Sequence, residues 1–167
     1  MSAELIGRRS FLARTGAGLV LAGTAPSLFL PPRPAWAAPA KVGEAAPGFT
    51  INASNGSPVS LASYKGKVVV LEWTNHDCPY VRKHYDSGNM QGLQRDATGQ
   101  GVVWLTVISS VQGTQGFVTA PQADELTTSR RAAPTAVLLD TTGGTGKRYG
   151  ATNTPHMYVV DKAGVLV

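Results

Sequence analysis

The stretch VVVLEWTNHDCPYVRKHY, residues 68–85, holds the features that decide the fold. Its first six residues form a continuous run dominated by β-branched and apolar side chains, which predicts a strand buried on both faces of a sheet. A short polar segment follows, and Cys78 stands directly before Pro79. Proline is tolerated in the first turn of a helix because it donates no backbone N–H there. The stretch therefore predicts a strand, a turn and a helix, with Cys78 at the helix N-terminus.

The rest of the chain alternates predicted strands and helices. The Asn55-Gly56 pair between two short extended pieces is a strong local signal for a β-hairpin. Residues 79–98 predict a helix in two pieces, the second of which Ser87 or Asn89 could cap. Further elements are predicted as strands at 102–109, 135–140 and 156–161 and as a helix at 121–133. This order predicts an α/β fold with a central mixed sheet, flanking helices and an N-terminal β-hairpin extension.

Residues 1–37 predict an export signal peptide. The pattern is a basic segment with Arg8 and Arg9, an apolar run, and the small-residue end Ala35-Trp36-Ala37. The apolar run is about 15 residues long, shorter than the roughly 20 that a membrane-spanning helix needs. The core RRSFL resembles the twin-arginine translocation signal, which implies that a bacterial protein is exported already folded, to the periplasm or elsewhere outside the cytoplasm. The alternative is a disordered basic tail.

The charge balance gives no support to nucleic-acid binding. The whole chain carries a formal net charge of +5, but four of its 15 Lys and Arg and one of its ten Asp and Glu lie in residues 1–37. Residues 38–167 therefore carry 11 basic against nine acidic side chains, a balance of +2. We expect this segment to form one domain without a surface that binds nucleic acid. Contact with a membrane is expected only during export.

Cys78 is the single cysteine of the chain, so the printed sequence offers it no intramolecular disulfide partner. A thiolate at a helix N-terminus is stabilised by the helix dipole and by unpaired backbone N–H groups. Arg82 could add positive charge one turn further on, and His76 could act as a proton partner. Asp77 opposes them, because a neighbouring carboxylate disfavours a thiolate. The alternative is that Cys78 is an inert, buried, small apolar residue.

The Thr154-Pro155 pair directly precedes the last predicted strand. A proline after a small polar residue at this place suits a tight cis turn. It equally suits an ordinary trans proline at the first residue of a strand, and trans is the commoner form of X-Pro bonds. The local sequence leaves both alternatives open.

Two separated stretches, APGFTINASNGSPVSLASYKGKVVVLEWTNHDCPYV (46–81) and YGATNTPHMYVVDKAG (149–164), resemble the thioredoxin-like redoxins. This superfamily includes peroxiredoxins of the alkyl hydroperoxide reductase/thiol-specific antioxidant type and periplasmic thiol-disulfide oxidoreductases. The segment NHDCPYVRKHY is similar to a peroxiredoxin-like subgroup. The resemblance implies a thioredoxin-like fold over residues 43–167, with Cys78 as the nucleophile and Pro155 as a cis-proline packed opposite it.

The chain departs from both groups at residues that matter for their chemistry. Thioredoxins carry a second cysteine three residues after the first, and Val81 stands there. Peroxiredoxins carry a threonine three residues before the cysteine, where this chain has Asn75, and Thr74 is one position further away. The arginine that peroxiredoxins place before the last strand is replaced by the Thr-Pro segment. The final residues VLV (165–167) begin a predicted strand that stops in mid-pattern, so we expect the chain to be incomplete at its C-terminus. Members of such subgroups can carry a second cysteine near the carboxyl end, which would then lie beyond Val167.

The expected function is that of a thiol-dependent oxidoreductase of the cell envelope, acting on a peroxide or a disulfide. Cys78 would react, Thr74 or Thr154 would hydrogen-bond its sulfur, Arg82 would favour the thiolate, and Pro155 would pack opposite. No cofactor or metal is expected, and the partner would be an external thiol reductant or a disulfide-bearing protein. The alternatives are a redox-inactive binding module of thioredoxin fold and a metal-handling protein, whose ligands would be His76, Cys78, His84 and Met90.

Overall fold

The computed structural model describes residues 39–167. The predicted signal peptide, residues 1–37, lies outside this part of the chain. In chain order the elements are β1 (Thr50–Asn52), β2 (Pro58–Ser60), a 3₁₀ turn (Leu61–Tyr64), β3 (Val69–Trp73), α1 (Pro79–Asp86), α2 (Asn89–Gly99), β4 (Val103–Ile108), α3 (Ala120–Ser129), β5 (Ala136–Leu139), α4 (Gly144–Tyr149) and β6 (His156–Val160). No helix among these is long and apolar enough to cross a bilayer.

The central sheet has four strands in the order β5-β4-β3-β6. Strands β3, β4 and β5 run parallel, and β6 runs antiparallel to β3. The register pairs Trp73 at the end of β3 with Val107 of β4 on one side and with His156 of β6 on the other. The mixed sheet predicted from the sequence is confirmed, and its register brings the segment after β3 next to the segment before β6.

The two faces of the sheet carry separate hydrophobic layers, because successive side chains of a strand point to opposite faces. Leu71 and Trp73 of β3 pack on the face covered by the hairpin and α4, where the Trp73 indole N–H donates to Ser109 Oγ at 3.0 Å. Trp104 of β4 packs on the other face, against side chains of α1 and α2. The strand that was predicted to be buried on both faces is therefore buried on both.

The predicted hairpin is present at the N-terminal side of the sheet. Strands β1 and β2 pair antiparallel, with Ile51 opposite Val59. The Asn55 side chain accepts a hydrogen bond from the Ser57 backbone N–H at 3.0 Å, and Gly56 takes the positive φ of 81° that the turn requires. A bridge between Ala53 and Leu138 joins the hairpin to β5.

The helical segment after Cys78 breaks into two pieces as predicted, but its second piece is not capped by a side chain. The N-cap of α2 is Gly88, whose φ of 74° lies in the left-handed region. Ser87 Oγ donates to the His84 carbonyl at 3.2 Å, and Asn89 Nδ2 lies 3.0 Å from His84 Nδ1. Both expected caps therefore bind back to α1, and the prediction of a capping role for them is wrong.

Candidate functional site

Cys78 occupies the N-cap of α1, at the carboxyl end of β3. Its backbone is extended, with φ −70° and ψ 125°, and Pro79 is the first residue of the helix. The Cys78 carbonyl accepts the first helical hydrogen bond, from the Arg82 N–H at 3.0 Å, while the Cys78 N–H donates to the Asn75 carbonyl at 3.0 Å. A tight turn thus connects β3 to α1, and the Cys78 side chain is half-buried.

The Cys78 sulfur faces the segment that precedes β6. The thiol donates to the Thr154 carbonyl oxygen at 3.2 Å, and the Thr154-Pro155 peptide bond is cis. This contact spans 76 residues of chain. It follows from the pairing of β3 with β6, since Trp73 and His156 lie opposite each other in the register. Two of the predicted site residues, Thr154 and Pro155, therefore lie beside Cys78.

The surroundings of the thiol lower the pKa of Cys78 from its ordinary value of 9.0. The largest cause is a hydrogen bond from the Thr154 side chain, followed by the Val81 backbone. Burial opposes the shift, and the Tyr80 backbone and the Arg82 charge add smaller contributions in the lowering direction. The Thr154 carbonyl favours the protonated thiol, but these donors together outweigh it. At neutral pH the site thus holds more thiolate than an ordinary cysteine does.

Arg82 and Thr74, the other predicted site residues, make no side-chain hydrogen bond to the sulfur in the described part of the chain. Arg82 is exposed on α1 and acts on Cys78 through its charge. Thr74 is 8% exposed, and its Oγ1 has no hydrogen-bond partner among the described residues. Since Thr74 follows Glu72 by two positions, its side chain lies on the face of α1 and α2. There it lines a cavity of about 30 Å³, room for one or two water molecules.

The turn between β3 and Cys78 is held by residues from distant parts of the chain. Asp77 Oδ2 accepts from the Gly116 N–H at 3.2 Å, and Arg130 Nη2 donates to the His76 carbonyl at 3.3 Å. Within the turn, Asn75 Oδ1 accepts from the Asp77 N–H at 2.9 Å. Sequence patterns gave no signal for Arg130, and Gly116 stood in a segment that reads only as a glycine-rich loop.

A buried carboxyl group lies beneath the site. Glu72 has no exposed surface, and its two oxygens accept four hydrogen bonds. Tyr85 Oη donates to Oε1 at 2.8 Å, and Trp104 Nε1 donates to Oε2 at 2.8 Å. Gln94 Nε2 and Thr106 Oγ1 also donate to Oε2, at 3.1 and 3.2 Å. The sequence did hold a signal for this group, because Glu72 is the one charged residue in the predicted buried strand.

A shallow groove runs along residues 151–154 and reaches Thr154, the residue whose carbonyl accepts from the Cys78 thiol. Its volume is about 240 Å³. Its lining is neutral and largely polar and consists of Trp73, Thr74, Asn75, Ser109, Ser110, Ala151, Thr152, Asn153 and Thr154. Backbone and side-chain hydrogen-bonding groups of this kind suit an extended peptide or a small polar molecule.

The residues of the metal hypothesis have other surroundings. Met90 is 4% exposed in the core between α1, α2 and β4. His84 Nδ1 pairs with Asn89, and His76 Nε2 lies 3.4 Å from Asp77 Oδ1. Within residues 39–167, no three His, Cys, Asp or Glu side chains come together as a set of metal ligands.

Comparison with known proteins gives a consistent picture of the fold. Residues 42–167 match the model of a family described as the AhpC/TSA family. No curated protein matches the chain.

Three solved structures illustrate the likeness. A conserved protein from Geobacillus kaustophilus has a TM-score of 0.68 at 22% identity, over 76% of this chain and 67% of that one. The thioredoxin domain of a thiol-disulfide oxidoreductase from Bacteroides vulgatus has a TM-score of 0.59 at 20% identity, over 76% and 86%. A secreted Mycobacterium tuberculosis disulfide oxidoreductase has a TM-score of 0.57 at 19% identity, over 71% and 80%. The predicted thioredoxin-like fold is confirmed.

Proposed function

Because the chain belongs to the AhpC/TSA family, we propose that it is a thiol-dependent oxidoreductase of the bacterial cell envelope that exchanges disulfides through Cys78. One observation carries this proposal. The Cys78 sulfur lies at a helix N-terminus, against the Thr154-Pro155 segment, in surroundings that lower its pKa. Thiolate is the nucleophilic form of cysteine, so these surroundings favour attack on an electrophilic sulfur.

The exchange begins with attack of the Cys78 thiolate on one sulfur of a substrate disulfide. A bond forms between the two sulfurs, the substrate S–S bond breaks, and the departing thiolate takes a proton from water. A thiol of the external partner then attacks the mixed disulfide. This second step releases Cys78 as thiolate and leaves the partner joined to the substrate half. Val81 occupies the place of the second cysteine of thioredoxins and supplies a backbone donor instead.

The groove that ends at Thr154 favours a peptide-like substrate. Its lining is neutral, and it runs along Thr154, whose carbonyl already contacts the sulfur. An extended peptide lying there would bring a disulfide sulfur to Cys78 with backbone hydrogen bonds and without charge selection. A protein with an exposed disulfide, or a small peptide thiol, is the partner class that this surface favours.

Peroxide reduction is the second candidate, and the family match favours it. The Cys78 thiolate would attack one peroxide oxygen, the O–O bond would break, Cys78 would become a sulfenic acid, and the departing oxygen would take a proton and leave as water or an alcohol. An external thiol would then form a mixed disulfide with release of water. A second external thiol would attack the external sulfur of that mixed disulfide, forming a disulfide between the two external thiols and releasing Cys78 as thiolate. The position of Thr74 weighs against this candidate, because its hydroxyl makes no contact with the sulfur.

Export to the envelope belongs to the same proposal. Residues 1–37 would serve as a twin-arginine signal peptide, and residues 38–167 as the redoxin domain. Support comes from the basic and apolar pattern of the first segment. The described fold is shared with a secreted disulfide oxidoreductase.

The test follows Cys78 in the purified protein. The rate of its alkylation by iodoacetamide is measured against pH, with C78S as the blank. Exchange predicts a midpoint below that of a free cysteine peptide and a mixed disulfide with oxidised glutathione in the mass spectrum. Sulfenic acid after one equivalent of hydrogen peroxide would instead identify a peroxidase. An ordinary midpoint with neither adduct would reject both and leave a redox-inactive binding module.

A further inference from the structure

The turn that positions Cys78, residues 74–78, accepts hydrogen bonds on two sides from residues remote in sequence. On one side the Gly116 N–H donates to Asp77. On the other side Arg130, the C-cap of α3, donates from Nη2 to the His76 carbonyl across a separation of 54 residues. Cys78 is bonded to the same turn through the Asn75 carbonyl. Movement of the turn would therefore move the sulfur relative to its hydrogen-bond donors.

The Arg130 side chain is itself held in place. Its guanidinium carbon lies 4.9 Å from the centroid of the Tyr85 ring, a cation–π arrangement. The Arg130 carbonyl accepts from Gln91 Nε2 at 2.8 Å, and the same nitrogen donates to the Tyr85 carbonyl at 2.9 Å. Tyr85 is anchored in turn by its bond to Glu72. Arg130 thus connects the turn to the rigid interior of the domain.

The Arg130 guanidinium has no other visible task in the described structure. Among residues 39–167, no carboxylate lies within ion-pair distance of it. The cation that acts on the thiol by charge is Arg82. Arg130 can therefore act by holding groups in position, since a planar guanidinium can stack on an aromatic ring and donate hydrogen bonds in its own plane at the same time.

We infer that Arg130 is a positioning residue for the chemistry of Cys78, acting through the His76 carbonyl to hold the turn in place. The inference rests on the proposed function, because it assigns a role to Arg130 in the reaction of that thiol. Loss of the guanidinium would remove the contact of the turn with α3 and leave the bonds within the turn, the Thr74 N–H bond to the Val107 carbonyl and the Gly116 contact. The thiol would then lose part of its alignment with Thr154 and with the first amides of α1.

The experiment compares R130A and R130K with the wild-type protein and with R95A. Arg95 is exposed on α2, and its side chain makes no hydrogen bond or ion pair within the described residues. Cys78 alkylation is measured against pH in each full-length protein, and circular dichroism checks the fold. R130A is expected to slow alkylation at pH 7 about fivefold, the loss typical of one hydrogen bond. Its pH midpoint is expected to rise, and R95A is expected to match wild type.

R130K separates positioning from charge. Lysine keeps the positive charge but cannot stack a planar group on Tyr85 while donating to the His76 carbonyl, so slow alkylation is expected here too. A wild-type rate in R130K, or in R130A, would overturn the inference. If R130A fails to fold, R130K decides alone. A wild-type protein whose Cys78 alkylation has the pH midpoint of a free cysteine peptide would count against the proposed function. The positioning role is judged separately, by the ratio of the alkylation rate of each variant to that of the wild type.

Discussion

Replacement of Glu72 by leucine is expected to destabilise the domain by several kilocalories per mole. The carboxyl group is fully buried and accepts from Tyr85, Gln94, Trp104 and Thr106. Leucine fills a similar space but accepts nothing. The Trp104 indole N–H, which can only donate, would then be left without a partner. The hydroxyl groups of Tyr85 and Thr106 would also have to find new acceptors.

The magnitude follows from the number of stranded donors. A buried donor without a partner costs about 1–3 kcal/mol. Gln94 Nε2 keeps one bond, to Tyr85 Oη at 3.1 Å, so its loss is partial. The expected total for Glu72→Leu is therefore about 3–5 kcal/mol, in the range found when one member of a buried polar group is removed.

Glu72→Gln provides the matched control. Its carbonyl oxygen can take the place of Oε2 and accept from Trp104, Gln94 and Thr106, while its amide donates to Tyr85 Oη. This variant should lose about 1–2 kcal/mol. Urea unfolding followed by circular dichroism measures both losses, provided that the m-values of the variants equal that of the wild type. A Glu72→Leu protein within about 1 kcal/mol of wild type, or a glutamine variant as unstable as the leucine variant, would show that the donors around Glu72 do not depend on its carboxyl group for stability.

Two further variants test the surroundings of the thiol. Thr154→Val removes the hydroxyl that contributes most to lowering the Cys78 pKa, so iodoacetamide should react more slowly at pH 7, with the exposed Thr128→Val as control. The pKa of Cys78 in the folded protein lies below 9.0. The free energy of urea unfolding of the reduced wild-type protein should therefore rise as pH rises toward 9 and fall as pH falls through the folded pKa. The same pH dependence of this free energy in Thr154→Val would contradict the role of the hydroxyl. Gly116→Ala should cost about 2 kcal/mol or more, because φ is +79° and the added carbon would meet Asn75. Gly113→Ala shares the positive φ but has open space around it, so equal urea midpoints for the two would show that the contact with Asn75 does not matter.

The elements of the fold were predictable because their signals are local. A continuous apolar run, an Asn-Gly turn and a proline after Cys78 each act within a few residues, and each prediction matches the structure. The N-terminus of α2 was predicted wrongly for an equally local reason. The N-cap is Gly88, which takes a left-handed conformation that glycine adopts without steric cost and which has no side chain to cap the helix.

The site was predictable only where the chain resembled a known pattern. Local sequence left Pro155 undecided, and its cis form in the structure agrees with the resemblance. The contacts of Arg130 and Gly116 with the turn span 54 and 39 residues. Which side chains meet across such distances is decided by the packing of α3 and the following strand, and no periodicity in a single sequence encodes it. Glu72 stood out as a charge in a buried strand, but its four partners did not.

The two hydrophobic layers come with their own fluorescent reporters. Trp73 and Trp104 lie on neighbouring strands but face opposite sides of the sheet, and they are 3% and 4% exposed. Trp73 donates to Ser109 beside a cluster of tyrosines, whereas Trp104 donates to the buried Glu72 carboxyl group. The chain has a third tryptophan, Trp36, so replacing Trp36 together with either Trp73 or Trp104 by phenylalanine would leave one emission band that reports on one layer. The wavelength and quenching of the Trp73 band would follow the side of the thiol groove, while those of the Trp104 band would follow the helices behind Cys78.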